Sequence, residues 1–291
     1  MTKGISAHDP MMETSDPREL YLDLIKKCLT RFVCEETWKP YQMPPWGGPI
    51  KRWLKKRLLD TLRARGIEAV ERATTFDREA RTIGRDTPME AETMIGLRRM
   101  DNLQECVTTV IREQIPGDLV ETGVWRGGAC IFMRAILAAY GDTTRIVWCA
   151  DSFEGLPLPN VADYPFDVEA EWHLRKDLVI SLEEVKQNFA RYGLLDEQVR
   201  FLKGWFKDTL PTAPIDRCAV MRLDGDMYES TMDALKTLYP KLSPGGFVIA
   251  DDYGLPENTC RQAVHDFRDV HGIREPIIDI DGYGAYWRRT P

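Results

Sequence analysis

The spacing of apolar residues along this chain changes character near residue 116. Before it they recur every three or four positions. Leu20, Leu22, Leu24, Ile25, Cys28 and Leu29 gather broadly on one side of a helix, as do Met94, Leu97, Met100, Leu103, Val107, Val110 and Ile111. The first set predicts a helix starting at Pro17 and the second a helix over about Pro88 to Gln114. A third helical stretch, Ile50 to Arg63, carries a basic face with Lys51, Arg52, Lys55, Lys56 and Arg57. Such a face fits a membrane surface or an anionic ligand, but a solvated helix is the better reading, because few other basic clusters cooperate with it. The first 115 or so residues therefore read as all-helical. Residues 1–16 read as a loose polar tail. Thr37 to Gly48, rich in Pro, Trp, Gly and Tyr, reads as a loop that packs either on itself or as a lid over a site.

Beyond Pro116-Gly117, short apolar runs of strand length alternate with helical stretches. Strands are expected at Asp118 to Thr122, Arg145 to Ala150, Val199 to Lys203, Cys218 to Leu223, Gly246 to Ala250, Pro276 to Ile280 and Gly284 to Arg288. Helices are expected at Ala129 to Tyr140, Ser181 to Tyr192, Ser230 to Tyr239 and Asn258 to Val270; Ser181, followed three residues later by Glu184, has the pattern of a capping box. Such alternation predicts an α/β fold with a mostly parallel sheet and helices on both faces. The chain thus divides into a tail (1–16), a helical region (17–115) and an α/β core (116–291).

Chemistry concentrates where the strands end. One run ends in Asp224-Gly225-Asp226, and the next parallel strand ends in Asp251-Asp252. A crossover helix places both ends on the same edge of the sheet, where open α/β sheets bind ligands. Acids crowded there repel and raise their own pKa values unless a cation sits among them, and a hard divalent ion is the natural candidate. A single aspartate at a strand end can simply cap a helix, but that role needs one acid rather than two adjacent ones.

The turn after the first strand reads Glu121-x-Gly123-x-x-x-Gly127-Gly128. Glycines there let backbone approach a ligand, yet the spacing is not the dinucleotide fingerprint, which disfavours a nicotinamide dehydrogenase. An acid at Glu121 suits a cationic amine and Asp151 suits ribose hydroxyls, which together describe an adenosyl compound with an amino-acid tail. A plain tight turn is the alternative.

Composition narrows the class further. A net charge of -7 argues against a general nucleic-acid binder. No apolar run approaches the roughly 18 residues needed to span a bilayer and the first residues lack a signal-peptide core, so no membrane partner and a cytoplasmic location are expected. The seven cysteines are scattered, without a Cys-x-x-Cys pair, so neither a disulfide framework nor a zinc site is expected; the four histidines show no metal-ligand spacing.

Four pieces, Leu119 to Gly128, Asp151 to Pro157, Leu223 to Thr231 and Gly246 to Tyr253, together resemble the macrocin O-methyltransferase (TylF-type) family. The resemblance covers roughly residues 95 to 289. It implies a class I methyltransferase fold, Rossmann-like with a seven-stranded sheet, in which S-adenosyl-L-methionine and a magnesium ion serve methyl transfer to a hydroxyl, typically on a sugar. Carried over, Glu121 and Gly123 lie near the methionine part, with Thr122 and Gly127 of the same turn also cofactor-binding. Asp151 takes the ribose, Ser152 lies beside the adenine, and Trp205 and Phe206 are adenine neighbours. Asp224, Asp251 and Asp252 hold the metal. Asp224 is the first choice of general base, and Asp226 could share either duty. The N-terminal helices are expected to form a lid that covers the acceptor, a small-molecule glycoside, and the chain could assemble as a homo-oligomer. Two rival readings are a catechol-type enzyme acting on a planar vicinal diol and a non-catalytic protein that only binds S-adenosylmethionine.

Overall fold

In chain order the elements are helix α1 (Pro17–Leu29), strand β1 (Trp38–Pro40), helix α2 (Pro49–Arg63), strand β2 (Val70–Arg72), and helices α3 (Arg78–Thr82) and α4 (Leu97–Arg112). Then follow β3 (Asp118–Thr122), α5 (Gly128–Tyr140), β4 (Val147–Asp151), α6 (Leu182–Arg191), β5 (Val199–Lys203), α7 (Phe206–Thr209), β6 (Cys218–Leu223), α8 (Tyr228–Leu238), β7 (Leu242–Ala250), α9 (Cys260–Val270), β8 (Ile278–Asp279) and β9 (Ala285–Arg288). The computed structural model describes residues 16–36, 38–41, 43, 48–67, 69–72, 76–86, 88–254 and 259–290. Residues 1–15 of the expected tail, much of the aromatic loop and Asn258, the first residue of an expected helix, lie outside them.

β3 to β9 form one sheet in the order β5-β4-β3-β6-β7-β9-β8. Only β9 runs against its neighbours. This is the mostly parallel seven-stranded arrangement expected above. Successive strand residues point to opposite faces, and both faces are covered. Leu119, Val147, Cys149 and Ile249 pack with α1, α4, α5 and α6, whereas Val120, Trp148, Ala150 and Val248 pack with α8 and α9. Burial on both sides is why these strands read as near-continuous apolar runs rather than as alternating ones. Leu22 and Leu29 of α1 are fully buried in the same core as α5, so α1 and α4 complete one helical layer.

Three expectations need correction. The N-terminal region is not all-helical, because β1 and β2 pair antiparallel, with Lys39 opposite Glu71. Three-residue strands paired across some thirty positions leave no periodic trace in either segment. The helix expected from Pro88 begins only at Leu97. The backbone N–H groups of Met89, Glu90 and Ala91 donate to the Glu36 carboxylate at 2.8, 2.9 and 2.9 Å, a distant partner that outcompetes a helical turn. The expected strand Pro276 to Ile280 shrinks to Ile278–Asp279.

Elsewhere local signals hold. Ser181 caps α6, accepting from the Glu184 N–H at 3.2 Å. α2 has no buried residue, and Ile50, Trp53, Leu54 and Leu58 are exposed along it. All seven cysteines are free thiols. No helix among the described residues is long and apolar enough to cross a membrane.

Candidate active site

The chain runs outward from β3 to β5, then returns to start β6 on the other side of β3. The carboxyl ends of β3, β4, β6 and β7 therefore flank a switch point, and a cleft opens there. Gly123, at φ +87, makes the closest approach: a Cβ on it would sit 1.6 Å from the Asp224 carbonyl oxygen, so only glycine lets the turn after β3 lie against the end of β6.

Gly123, Asp151, Ser152, Trp205 and Phe206 line this cleft together with Asp224 and Asp226. Asp151 is held by backbone: Oδ2 accepts the Val124 N–H and Oδ1 the Phe153 N–H, both at 2.7 Å. Burial nevertheless pushes its pKa up, with these N–H groups pulling the other way. Ser152 Oγ donates to the Gly155 carbonyl at 2.6 Å. Trp125 and Asp226, which line the cleft, and Phe153, buried and next in sequence to Ser152, all have positive φ (46, 58 and 57°), a conformation that non-glycine residues seldom adopt.

Glu121, Thr122 and Gly127 are not among the lining residues. Glu121 and Thr122 are buried in β3, and Gly127 sits at the start of α5. The cation that Glu121 meets belongs to the chain itself. Arg222, its neighbour in register on β6, pairs with Glu121 Oε1, while the Cys130 thiol donates to Oε2 at 2.7 Å.

Arg222 also pairs with Asp224 Oδ2 at 2.8 Å and with Asp251 Oδ1 at 2.5 Å. A second buried arginine, Arg99 of α4, pairs with Asp251 Oδ2 and, at 3.1 Å, with Asp281. Asp224, Asp251 and Asp252 each offer a carboxylate oxygen, and these three oxygens lie within 4.8 Å of one another. Two guanidiniums thus stand among five carboxylates: Glu121, Asp224, Asp251, Asp252 and Asp281. Buried Asp252 Oδ2 has no hydrogen-bond partner. Burial, followed by repulsion from Asp226, Asp224 and Asp251, drives the Asp252 pKa well above the carboxylate range. Burial and then Asp251 raise that of Asp224. Asp224 is the residue common to the cleft and the cluster.

Sequence reasoning missed Arg222 and Arg99, although Arg222 had a signal: an arginine in the middle of the run Cys-Ala-Val-Met-Arg-Leu must be buried with partners. Asp281 and Arg99 come together only through the fold.

Residues 18–289 match the family described as Macrocin-O-methyltransferase (TylF). The chain belongs to this family. It is 52% identical over 278 residues to the 8-demethyl-8-(2,3-dimethoxy-alpha-L-rhamnosyl)-tetracenomycin-C 4'-O-methyltransferase of Streptomyces olivaceus, covering 95% of each chain. It is 48% identical over 282 residues to the mycinamicin III 3''-O-methyltransferase of Micromonospora griseorubida, covering 96% of this chain and all of that one. Among solved structures, the O-methyltransferase NovP superposes with a TM-score of 0.80 at 47% identity, over 94% of this chain and 100% of that one. The chain is therefore a macrocin-type O-methyltransferase, a family whose methyl donor is S-adenosylmethionine.

The donor set fits a hard divalent cation. Three carboxylates converge, arginines only partly compensate them, and among the described residues the buried Asp252 Oδ2 has neither a hydrogen-bond nor an ion-pair partner.

Proposed function

We propose that this macrocin-type enzyme methylates a sugar hydroxyl of a glycosylated natural product, with magnesium held by Asp224, Asp251 and Asp252. The observation that carries this reading is the position of Asp224, which lines the cleft and belongs to the three-acid cluster, so that donor and acceptor sides meet at one side chain. The name of the tetracenomycin relative, which specifies a rhamnosyl group, supports a sugar as the methylated part of the acceptor. It gives no support to a small planar diol.

The cofactor supplies a methyl group on a positively charged sulfur, and a bound magnesium ion would lower the pKa of an acceptor hydroxyl. The chain's own part is positioning and proton removal. Asp151 is preset by two backbone N–H groups to face ribose hydroxyls, and Trp205 and Phe206 offer rings to the adenine. Asp224 is the first general base and Asp226, on the same turn, the second. Arg222 holds Asp224 in place from behind.

The test is turnover with a panel of rhamnosylated aromatic polyketides and glycosylated macrolides, read as S-adenosylhomocysteine formed. Asp252→Ala is expected to bind S-adenosylmethionine within about threefold of wild type, yet to lose roughly a thousandfold in turnover. Full activity after chelation would remove magnesium from this account. Absence of turnover across the panel would remove the glycoside acceptor.

A further inference from the structure

The two oxygens of Asp251 are treated differently. Arg99 Nη1 donates a hydrogen bond to Oδ2, whereas Oδ1 faces Arg222 at 2.5 Å as an ion pair outside hydrogen-bond geometry. Oδ2 is therefore committed, and Oδ1 keeps a lone pair. Among the described residues, Asp251 Oδ1 and Asp252 Oδ2 are the buried carboxylate oxygens of the three-acid cluster that accept no hydrogen bond.

Arg99 stands where a cation is poorly placed. It is buried in the first turn of α4, at the positive end of a helix whose N-cap, Gly96, supplies no side-chain hydrogen bond. Its partners hold it there. Nε donates to Asp281 Oδ2 at 3.1 Å, and Nη2 donates to the Ile83 carbonyl at 3.4 Å. Asp281 is itself fixed by its own turn, because Oδ1 accepts the N–H groups of Tyr283 and Gly284 at 3.0 and 2.9 Å. A Cβ on Gly284 would sit 2.9 Å from Arg99 Cδ, so glycine lets this turn close on the arginine stem. All three guanidinium nitrogens are thus engaged, by the end of α3, by the turn between β8 and β9, and by Asp251. Neutralising Asp251 does not require this brace, since Arg222 already pairs with that residue.

We propose that Arg99 is a positioning residue that sets which divalent ion the site accepts: by holding Asp251 Oδ2 it limits that carboxylate to one ligand oxygen, Oδ1, and so favours magnesium over calcium. This deepens the metal reading above and rests on it. Magnesium takes about six oxygens in strict octahedral order, whereas calcium takes about six to eight and accepts carboxylates that ligate through both oxygens. Losing Arg99 also removes a positive charge, but that raises the affinity for both divalent ions alike. The ratio of the two affinities cancels the charge effect and reads the clamp alone.

The experiment compares wild type with Arg99→Met, Arg99→Lys and the double variant Arg99→Met/Asp281→Asn. Manganese(II) is the probe: its electron paramagnetic resonance signal is lost on binding and returns as magnesium or calcium displaces it, so no turnover is needed. Wild type should release manganese to magnesium at a lower concentration than to calcium. In Arg99→Met the preference for magnesium over calcium should fall about tenfold. Arg99→Lys keeps the charge but not the planar fork, and should lower the preference by about threefold. The double variant leaves Asp281 with no unpaired buried charge, which protects folding, and should match Arg99→Met. If the folded variants keep the wild-type preference and only melt earlier, Arg99 is a structural brace and the inference is overturned. A wild type that takes calcium as readily as magnesium overturns it too. Should manganese fail to bind wild type at all, it is the metal reading itself that falls.

Discussion

The sheet ends in two groups of acids that are stabilised in different ways. At the end of β4, Asp151 faces two backbone N–H groups, dipoles fixed by the turn, and no cation. At the ends of β6 and β7, Asp224, Asp251 and Asp252 face two buried guanidiniums, which leave Asp252 Oδ2 without a hydrogen bond. Fixed dipoles suit a neutral, hydrogen-bonding ligand such as a ribose. Charges that are only partly balanced suit an incoming cation. We propose that the two groups serve the two halves of the reaction, the first meeting the ribose and the second the cation.

The largest effect should come from removing the balancing charge. Arg222→Met leaves buried Glu121 and Asp251 and half-buried Asp224 without their common partner, and breaking a buried ion network costs about 3–5 kcal/mol. Urea unfolding should show a loss of that size, and magnesium should stabilise the variant more than it does wild type. An equal magnesium effect on both would mean that the arginine and the ion do not share a site.

The second effect is one of pH. Burial outweighs the attraction of Arg222 and pushes Glu121 from its ordinary value of 4.5 up to about 7. A carboxylate whose pKa is higher folded than unfolded makes the folded state bind the extra proton. Its contribution is therefore fully present below about 4.5 and is lost as pH rises to about 7. Across that window Glu121→Gln should show a stability that falls less with pH than the wild type's. A parallel pair of curves would mean that Glu121 is ionised throughout.

Much of this was legible in the chain. Strand runs, the capping pattern at Ser181 and the terminal acids Asp151, Asp224, Asp251 and Asp252 follow from local spacing, because each depends on neighbours a few residues away. The arginines were less so. Arg222 interrupts an apolar strand and could have been read as a buried cation, but nothing in the local sequence says that Arg99, on a helix more than a hundred residues earlier, meets Asp251 and Asp281. Glu121 shows the same limit, since its position at a strand end suggested an amine ligand while register pairs it with Arg222. Residues 88–96 escape their helical pattern because Glu36 takes three of their N–H groups.

The smallest predicted effect probes the backbone-held acid. Asp151→Asn keeps the shape of the side chain, but turns one acceptor into an NH2 group that faces either the Val124 or the Phe153 N–H. One backbone donor then loses its partner, which costs about 1–3 kcal/mol, shared between stability and cofactor affinity. Binding of S-adenosylhomocysteine, measured by calorimetry, should weaken about tenfold, and the response to magnesium should match wild type. The cofactor arm tests whether Asp151 meets the ribose. The magnesium arm tests the separation of the two acid groups, because an Asp151 variant with altered metal dependence would join what the geometry keeps apart.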